Sequence, residues 1–195
     1  MNAAAVLVVD MQNGFCHPRG SIASLGGELP DLSSVVAANE ELLAAARAAH
    51  LPVIYTRHVF RPGLIDMPAR SANLWPRDPE PLVRGSWDAD IIDELAPAEG
   101  DHVIDKNRYD AFLYTDLEVL LRGLGVNRLL AVGILTNVCV ETTVRSADQR
   151  GFDPYVASDC TTAYGEARDP ALAAMSVVFA TVGKWRELFD LVGEE

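Results

Sequence analysis

The chain has 195 residues, of which 49% are hydrophobic and 23% charged. That is an ordinary globular mix, at a length that fits one domain over residues 1–195. Sixteen Lys and Arg against 28 Asp and Glu leave a formal net charge of −12. Such a chain is repelled by phosphate backbones and anionic membranes, so no nucleic acid and no membrane is expected as a partner. Disordered, collagen-like and disulfide-scaffold proteins are excluded as well.

The apolar run Ala3 to Val9 is short and stops at Asp10, which reads as a buried strand. Asp31 to His50 carries Leu32, Val35, Val36, Asn39, Leu42, Leu43 and Ala46 at helical spacing, with Asp31 or Ser33 as the cap. Pro52 to Arg57 is a second strand. A segment from Val59 to Gly85 follows, with Pro62, Pro68, Pro76, Pro79 and Pro81 and few periodic positions. A loop this long inside a compact domain is uncommon and often functional. It is expected to be an insertion that covers a site, tied down by buried Trp75 and Trp87.

The second half is more regular. Asp101 to Asp105 is a strand. Tyr114 to Arg122 is a helix ended by Gly123 and Gly125. Arg128 to Ile134 is an apolar strand, and Val138 to Arg150 a helix stopped by Gly151. Pro154 to Ala157 is a strand, Asp169 to Ser176 a helix running on to Val178, and Phe179 to Val182 a last strand. Strands alternating with helices give an α/β fold, a parallel sheet with helices on both faces in three α-β-α layers.

The first turn, Asp10-Met11-Gln12-Asn13-Gly14-Phe15, has a single glycine, and no GxxxxGK[ST] occurs. Dinucleotide and P-loop chemistry are therefore set aside, and no cofactor is expected. The turn offers a carboxylate instead, at the strand edge where open α/β sheets bind ligands. Lys106 ends the third strand at that edge, and Cys139 follows the fourth. A cysteine in the first turn of a helix, capped by Thr136 or Asn137, is favoured as a thiolate by the amides there. Lys106 adds to that stabilisation. Asp10 can take the thiol proton and return it to a leaving amine. Read individually, each of the three has a plainer role in packing, capping or surface charge.

The three cysteines, Cys16, Cys139 and Cys160, form no CxxC pair. Cys16 and Cys160 read as small buried residues, and His17, His50 and His102 as surface or strand-end residues without a partner. The start, Met1-Asn2-Ala3, has no basic region and no window reaches 18 apolar residues. No signal peptide or membrane span is expected, and the location is expected to be cytoplasmic.

Taken in order along nearly the whole chain, four stretches resemble the isochorismatase-like cysteine hydrolases. They are Val8-Val9-Asp10-Met11-Gln12-Asn13-Gly14-Phe15, then Tyr55-Thr56-Arg57-His58, then Lys106-Asn107-Arg108-Tyr109-Asp110-Ala111-Phe112, and Gly133-Ile134-Leu135-Thr136-Asn137-Val138-Cys139-Val140 with Thr142, Thr143 and Arg145. The resemblance implies an Asp-Lys-Cys triad at Asp10, Lys106 and Cys139. It implies a six-stranded parallel sheet of order 3-2-1-4-5-6. It also implies a cis peptide at Ile134-Leu135, which aims the Leu135 amide at an oxyanion beside the Cys139 amide. Nicotinamidases of this family carry a metal-binding Asp-x-His after the second strand. His58 and Phe60 stand there in this chain, and one histidine with a phenylalanine is a poor metal site. No metal is expected, and the carbamoyl and ureido branch fits better. Isochorismatase proper often lacks the cysteine, so Cys139 favours amide chemistry.

The expected function is cysteine-dependent hydrolysis of a C–N bond in a small amide, carbamoyl or ureido substrate. Vinyl ether hydrolysis and a catalytically silent scaffold of the same fold are the alternatives. Phe15, Trp75, Arg108, Tyr109 and Asn137 are the candidate pocket residues, with Arg108 paired to a substrate carboxylate. The resemblance implies homodimers or homotetramers, for which Val138 to Ala147 and Trp185 to Val192 offer apolar surface.

Overall fold

A computed structural model describes residues 3–25, 29–75 and 77–193. Six strands form one parallel sheet: β1 (Ala3–Val9), β2 (Val53–His58), β3 (His102–Lys106), β4 (Val126–Ile134), β5 (Asp153–Thr162) and β6 (Thr181–Gly183). They run in the order β3-β2-β1-β4-β5-β6, every neighbouring pair parallel. The helices are α1 (Asn13–Cys16), α2 (Leu32–Ala48), α3 (Leu117–Gly123), α4 (Glu141–Gln149), α5 (Arg168–Val178) and α6 (Trp185–Gly193).

Period-two alternation along β1 divides the interior. Val6 and Val8 face a core with Leu42, Leu43 and Ala46 of α2 and Trp185 and Leu188 of α6. Ala5, Leu7 and Val9 face a second core with Leu117 and Leu121 of α3, Val144 and Ala147 of α4, and Leu172 and Met175 of α5. The sheet is thus covered on both faces, as a parallel sheet requires. The chain order reverses between β1 and β4. This switch opens a crevice above their C-terminal ends.

Several expectations are corrected. The third helix begins at Leu117, because Tyr114 has φ 62° and cannot continue a right-handed helix. Asp31 precedes α2 at φ 56°, with no side-chain capping bond. The stretch before α4 is a π-type turn over Thr136–Val140, where the Val140 amide reaches back to the Leu135 carbonyl at 3.2 Å. Neither Thr136 nor Asn137 caps it: Leu135 holds the cap position with no side-chain bond. The Thr136 hydroxyl bonds instead to that of Thr161 at 2.7 Å. β5 runs five residues past Ala157, with a register irregularity opposite Ala131 and Gly133. The C-terminal segment is helical, and it buries Trp185, Leu188 and Val192 against the sheet. Val140, Val144 and Ala147 are likewise buried. Both apolar stretches assigned to self-association are therefore used inside the subunit.

The segment after β2 consists of short 3-10 turns, Pro62–Leu64 and Ser71–Asn73. Pro76 lies outside the described residues. Phe60 and Val83 form a bridge that closes the segment's base. Trp75 is half-buried, but Trp87 is exposed and stands against His17 and Arg19. Its place as an anchor is taken by Asp88, which accepts from the Ser21 amide and hydroxyl and the Leu82 amide at 2.6–2.8 Å. His17 has further company, since its Nδ1 accepts from the Arg19 amide at 3.1 Å.

Candidate active site

The chain leaves β1 through Asp10 at φ 51°, a left-handed conformation that costs a non-glycine residue about 1 kcal/mol or more. Contacts to Thr56 of β2 hold it. The Asp10 amide donates to the Thr56 carbonyl at 3.2 Å, and the Thr56 hydroxyl donates to Asp10 Oδ1 at 2.6 Å. Lys106 arrives from the end of β3, and its Nζ donates to Asp10 Oδ2 at 2.6 Å. The same ammonium donates to the Arg108 carbonyl at 3.1 Å and meets His58 Nδ1 at 3.4 Å. Cys139 comes up in the π-type turn after β4. The Asp10 carboxylate, a His58 ring nitrogen and Cys139 Sγ lie within 4.8 Å of one another.

Gly133 makes this approach possible. At φ 100° it crosses Val9 so closely that a Cβ would stand 2.2 Å from the Val9 carbonyl oxygen. The next peptide, Ile134-Leu135, is cis. The backbone then turns Cys139 over Asp10.

All three groups are buried: Asp10 is 1%, Lys106 3% and Cys139 5% exposed. Burial alone raises the Asp10 carboxyl, but the Lys106 ammonium overturns this, with help from the thiol hydrogen bond, and holds it below the usual range. Burial lowers Lys106, yet Asp10 outweighs it and the ammonium is kept above its usual value. Burial pushes the Cys139 thiol up, Lys106 opposes and Asp10 adds to the rise. The balance of these effects favours the neutral thiol, against the thiolate expected from a helix terminus. The helical amides are overridden because the sulfur is dehydrated and faces a carboxylate.

Asp10, His58 and Cys139 are the one group of converging metal-type donors among the described residues. The Lys106 ammonium already sits against two of them, so a cation there meets a like charge.

The other candidate pocket residues divide. Phe15, Trp75 and Tyr109 gather around His58 with Phe60. Trp75 is 6.2 Å from Phe15, 5.6 Å from His58 and 5.7 Å from Phe60 between ring centres. Tyr109 lies 5.9 Å from His58 and its hydroxyl meets Ser71 Oγ at 3.0 Å. Arg108 turns away. Its guanidinium donates to the carbonyls of Asp66 and Asn107 at 2.9 and 2.7 Å. It lines a cavity of about 300 Å³ with Arg61, Asp66, Arg84 and Asp105, where carboxylates already face the arginines. Asn137 is exposed. Cys16 is half-buried and Cys160 buried, both unpaired.

Three supporting residues were not legible as site residues. Thr56 and His58 end a buried strand, and polar residues there are the signal that marks them. Gln12 is fully buried and staples β2 to the first turn. Its amide nitrogen donates to the His58 and Ala89 carbonyls at 3.0 and 2.8 Å, and its oxygen accepts from the His58 amide at 2.7 Å.

Asp10, Lys106 and Cys139 thus meet at the C-terminal edge of the parallel sheet. The isochorismatase domain family matches residues 4–187, and the chain belongs to that family. A ureidoacrylate amidohydrolase from Methylobacterium radiotolerans is 35% identical over 169 residues, 80% of this chain and 66% of the relative. The chain thus spans just under two thirds of that relative's length. Among solved structures, a cysteine hydrolase from Pseudomonas syringae superposes with a TM-score of 0.87 at 32% identity, covering 97% of this chain and 92% of that one. N-carbamoylsarcosine amidase from Thermoplasma acidophilum gives 0.79 at 26%, covering 94% and 96%.

Proposed function

We propose that the protein is an amidohydrolase that cleaves a C–N bond of a small carbamoyl or ureido compound through a thioester on Cys139. The observation that carries this reading is the buried Asp10–Lys106 pair at 2.6 Å, closed by the Cys139 thiol. The names of the Methylobacterium relative and the Thermoplasma neighbour, which specify ureido and carbamoyl substrates, support the substrate class.

The charge pattern dictates the order of events. A free thiolate is costly here and so is a neutral Asp10, so the proton passes from sulfur to carboxylate as the sulfur attacks the carbonyl carbon. The C–S bond forms while the carbonyl π pair moves to oxygen. That oxyanion rests on the Leu135 and Cys139 backbone amides. Collapse breaks the C–N bond, and Asp10 returns its proton to the departing ammonia or amine. Water then attacks the thioester, with Asp10 as base, and the released sulfur recovers its proton. Lys106 keeps Asp10 ionised between steps. The same reading places the enzyme in a reducing compartment such as the cytoplasm, as a homodimer or homotetramer. Val177 and Val178 near the end of α5 are exposed apolar surface that such an assembly covers.

The test is ammonia release from N-carbamoyl amino acids, ureidoacrylate, biuret and nicotinamide. Turnover is expected on a carbamoyl or ureido member, and Cys139→Ala is expected to lower it at least about 1,000-fold. Unchanged turnover in Cys139→Ala overturns the mechanism. Vinyl ether cleavage without ammonia release assigns the alternative chemistry, and inertness to all of them the silent scaffold.

A further inference from the structure

The imidazole of His58 is 1% exposed and stands at the sulfur, within 4.8 Å through one ring nitrogen. Burial and the adjacent ammonium push its ionisation down to about 3, so the ring is neutral near pH 7. Its tautomer follows from its neighbour. The Lys106 ammonium has no lone pair, and its partners are Asp10 Oδ2, the Arg108 carbonyl, the Cys139 sulfur and His58 Nδ1. A protonated Nδ1 would face that cation with its own hydrogen, so we assign Nδ1 as the acceptor and the ring proton to Nε2. That nitrogen is buried and has no hydrogen-bond partner. The rings around it belong to Phe60, Trp75 and Tyr109, none of which supplies a partner to it. An orphaned buried donor costs about 1–3 kcal/mol and calls for an explanation.

We propose that His58 Nε2–H is a specificity-determining donor, which hydrogen-bonds an acceptor oxygen on the non-reacting part of the substrate once that part enters among Phe60, Trp75 and Tyr109. The proposal deepens the amidohydrolase reading and rests on it for the position of the scissile group over Cys139. Its chemical consequence is definite. A site with a buried unpaired donor rejects a ligand that brings only hydrocarbon to that place, because the donor then stays unpaired. It rewards a ligand that brings a carbonyl or carboxylate oxygen. The preferred substrate is therefore a carbamoyl or ureido compound with a second oxygen function beyond the scissile C–N bond, not a simple alkylurea.

The test uses binding, so it does not depend on turnover. In the Cys139→Ala protein, calorimetry compares an N-carbamoyl amino acid with an alkylurea of equal length. The acid is expected to bind about 10- to 100-fold more tightly, the range for a hydrogen bond to a charged group. Adding His58→Asn, which keeps an acceptor for Lys106 but loses the Nε2 position, is expected to erase that preference. Adding His58→Gln, whose amide reaches the Nε2 position, is expected to restore most of it. A preference that survives His58→Asn, or an equal loss for both ligands, assigns His58 to structure alone and overturns the proposal, as does failure of either ligand to bind. A His58-dependent preference in a protein without hydrolysis keeps this inference and removes the hydrolase reading. Hydrolysis with a preference indifferent to His58 does the reverse.

Discussion

Asp10 and His58 show how a buried side chain's partners decide which form of it exists. Each is almost fully buried, yet Asp10 is kept charged, because Lys106 outweighs burial, and His58 neutral, because burial and Lys106 act together. An ammonium beside a carboxylate stabilises the anion, and an ammonium beside an imidazole forbids a second cation. The two have different acid behaviour. Asp10 lies below its usual 3.8, so its contribution is whole above about pH 4 and is lost only as pH falls through its lowered value. His58 moves from 6.5 to about 3. Between those values the unfolded chain binds a proton that the folded chain refuses. Stability from His58 is thus whole above about pH 6.5 and declines as pH falls toward 3. Between pH 7 and 4.5 the native protein is expected to lose roughly 2–3 kcal/mol more than His58→Asn does. Denaturant unfolding at the two pH values measures this, and equal losses in both proteins would mean the ring is solvated.

At the scale of elements, the contact between β1 and β4 positions the chemistry. Their register pairs Val9 with Gly133, one residue before Asp10 and two before Leu135. A side chain at Gly133 meets the Val9 backbone, which cannot yield as a flexible side chain does. Gly133→Ala is expected to destabilise by about 3 kcal/mol or more through overpacking and a disfavoured positive φ, read as a lowered melting temperature. The strands themselves were legible, because a strand covered on both faces is a continuous apolar run. Their ends were not. β5 continues to Thr162, but its pairing with β4 skips from Val156 to Thr161, and polar Ser158 and Asp159 break the apolar run there. The helix after β4 was placed within about two residues of its turn. Its π-type start was invisible, since one inserted residue shifts the hydrogen bonds without changing the apolar spacing.

Across the whole molecule, the segment after β2 joins parts that are distant in the chain. Asp66 accepts from the Asn107 amide at 3.0 Å, Ser71 meets Tyr109, and Asp88 ties Ser21 to Leu82. Trp75 is thereby held against His58 and Phe15. Asp88→Ala removes three acceptor contacts at once and is expected to free the segment. Faster proteolysis between residues 59 and 85 and a several-fold higher KM with a smaller change in kcat are the expected readouts. Protease resistance and KM equal to the native protein would show that Trp75 is held without Asp88. By itself the sequence determined the alternation of strands and helices, and with it the edge at which Asp10, Lys106 and Cys139 collect, because burial periodicity and strand ends are local properties of the chain. Only the tertiary structure decided that the sulfur is dehydrated beside a carboxylate, that Arg108 turns to Asp66, that Trp87 faces solvent and that His58 Nε2 has no partner. Those outcomes depend on dehydration and on partners as far apart in the chain as Asp10 and Cys139, and no local pattern encodes such distances.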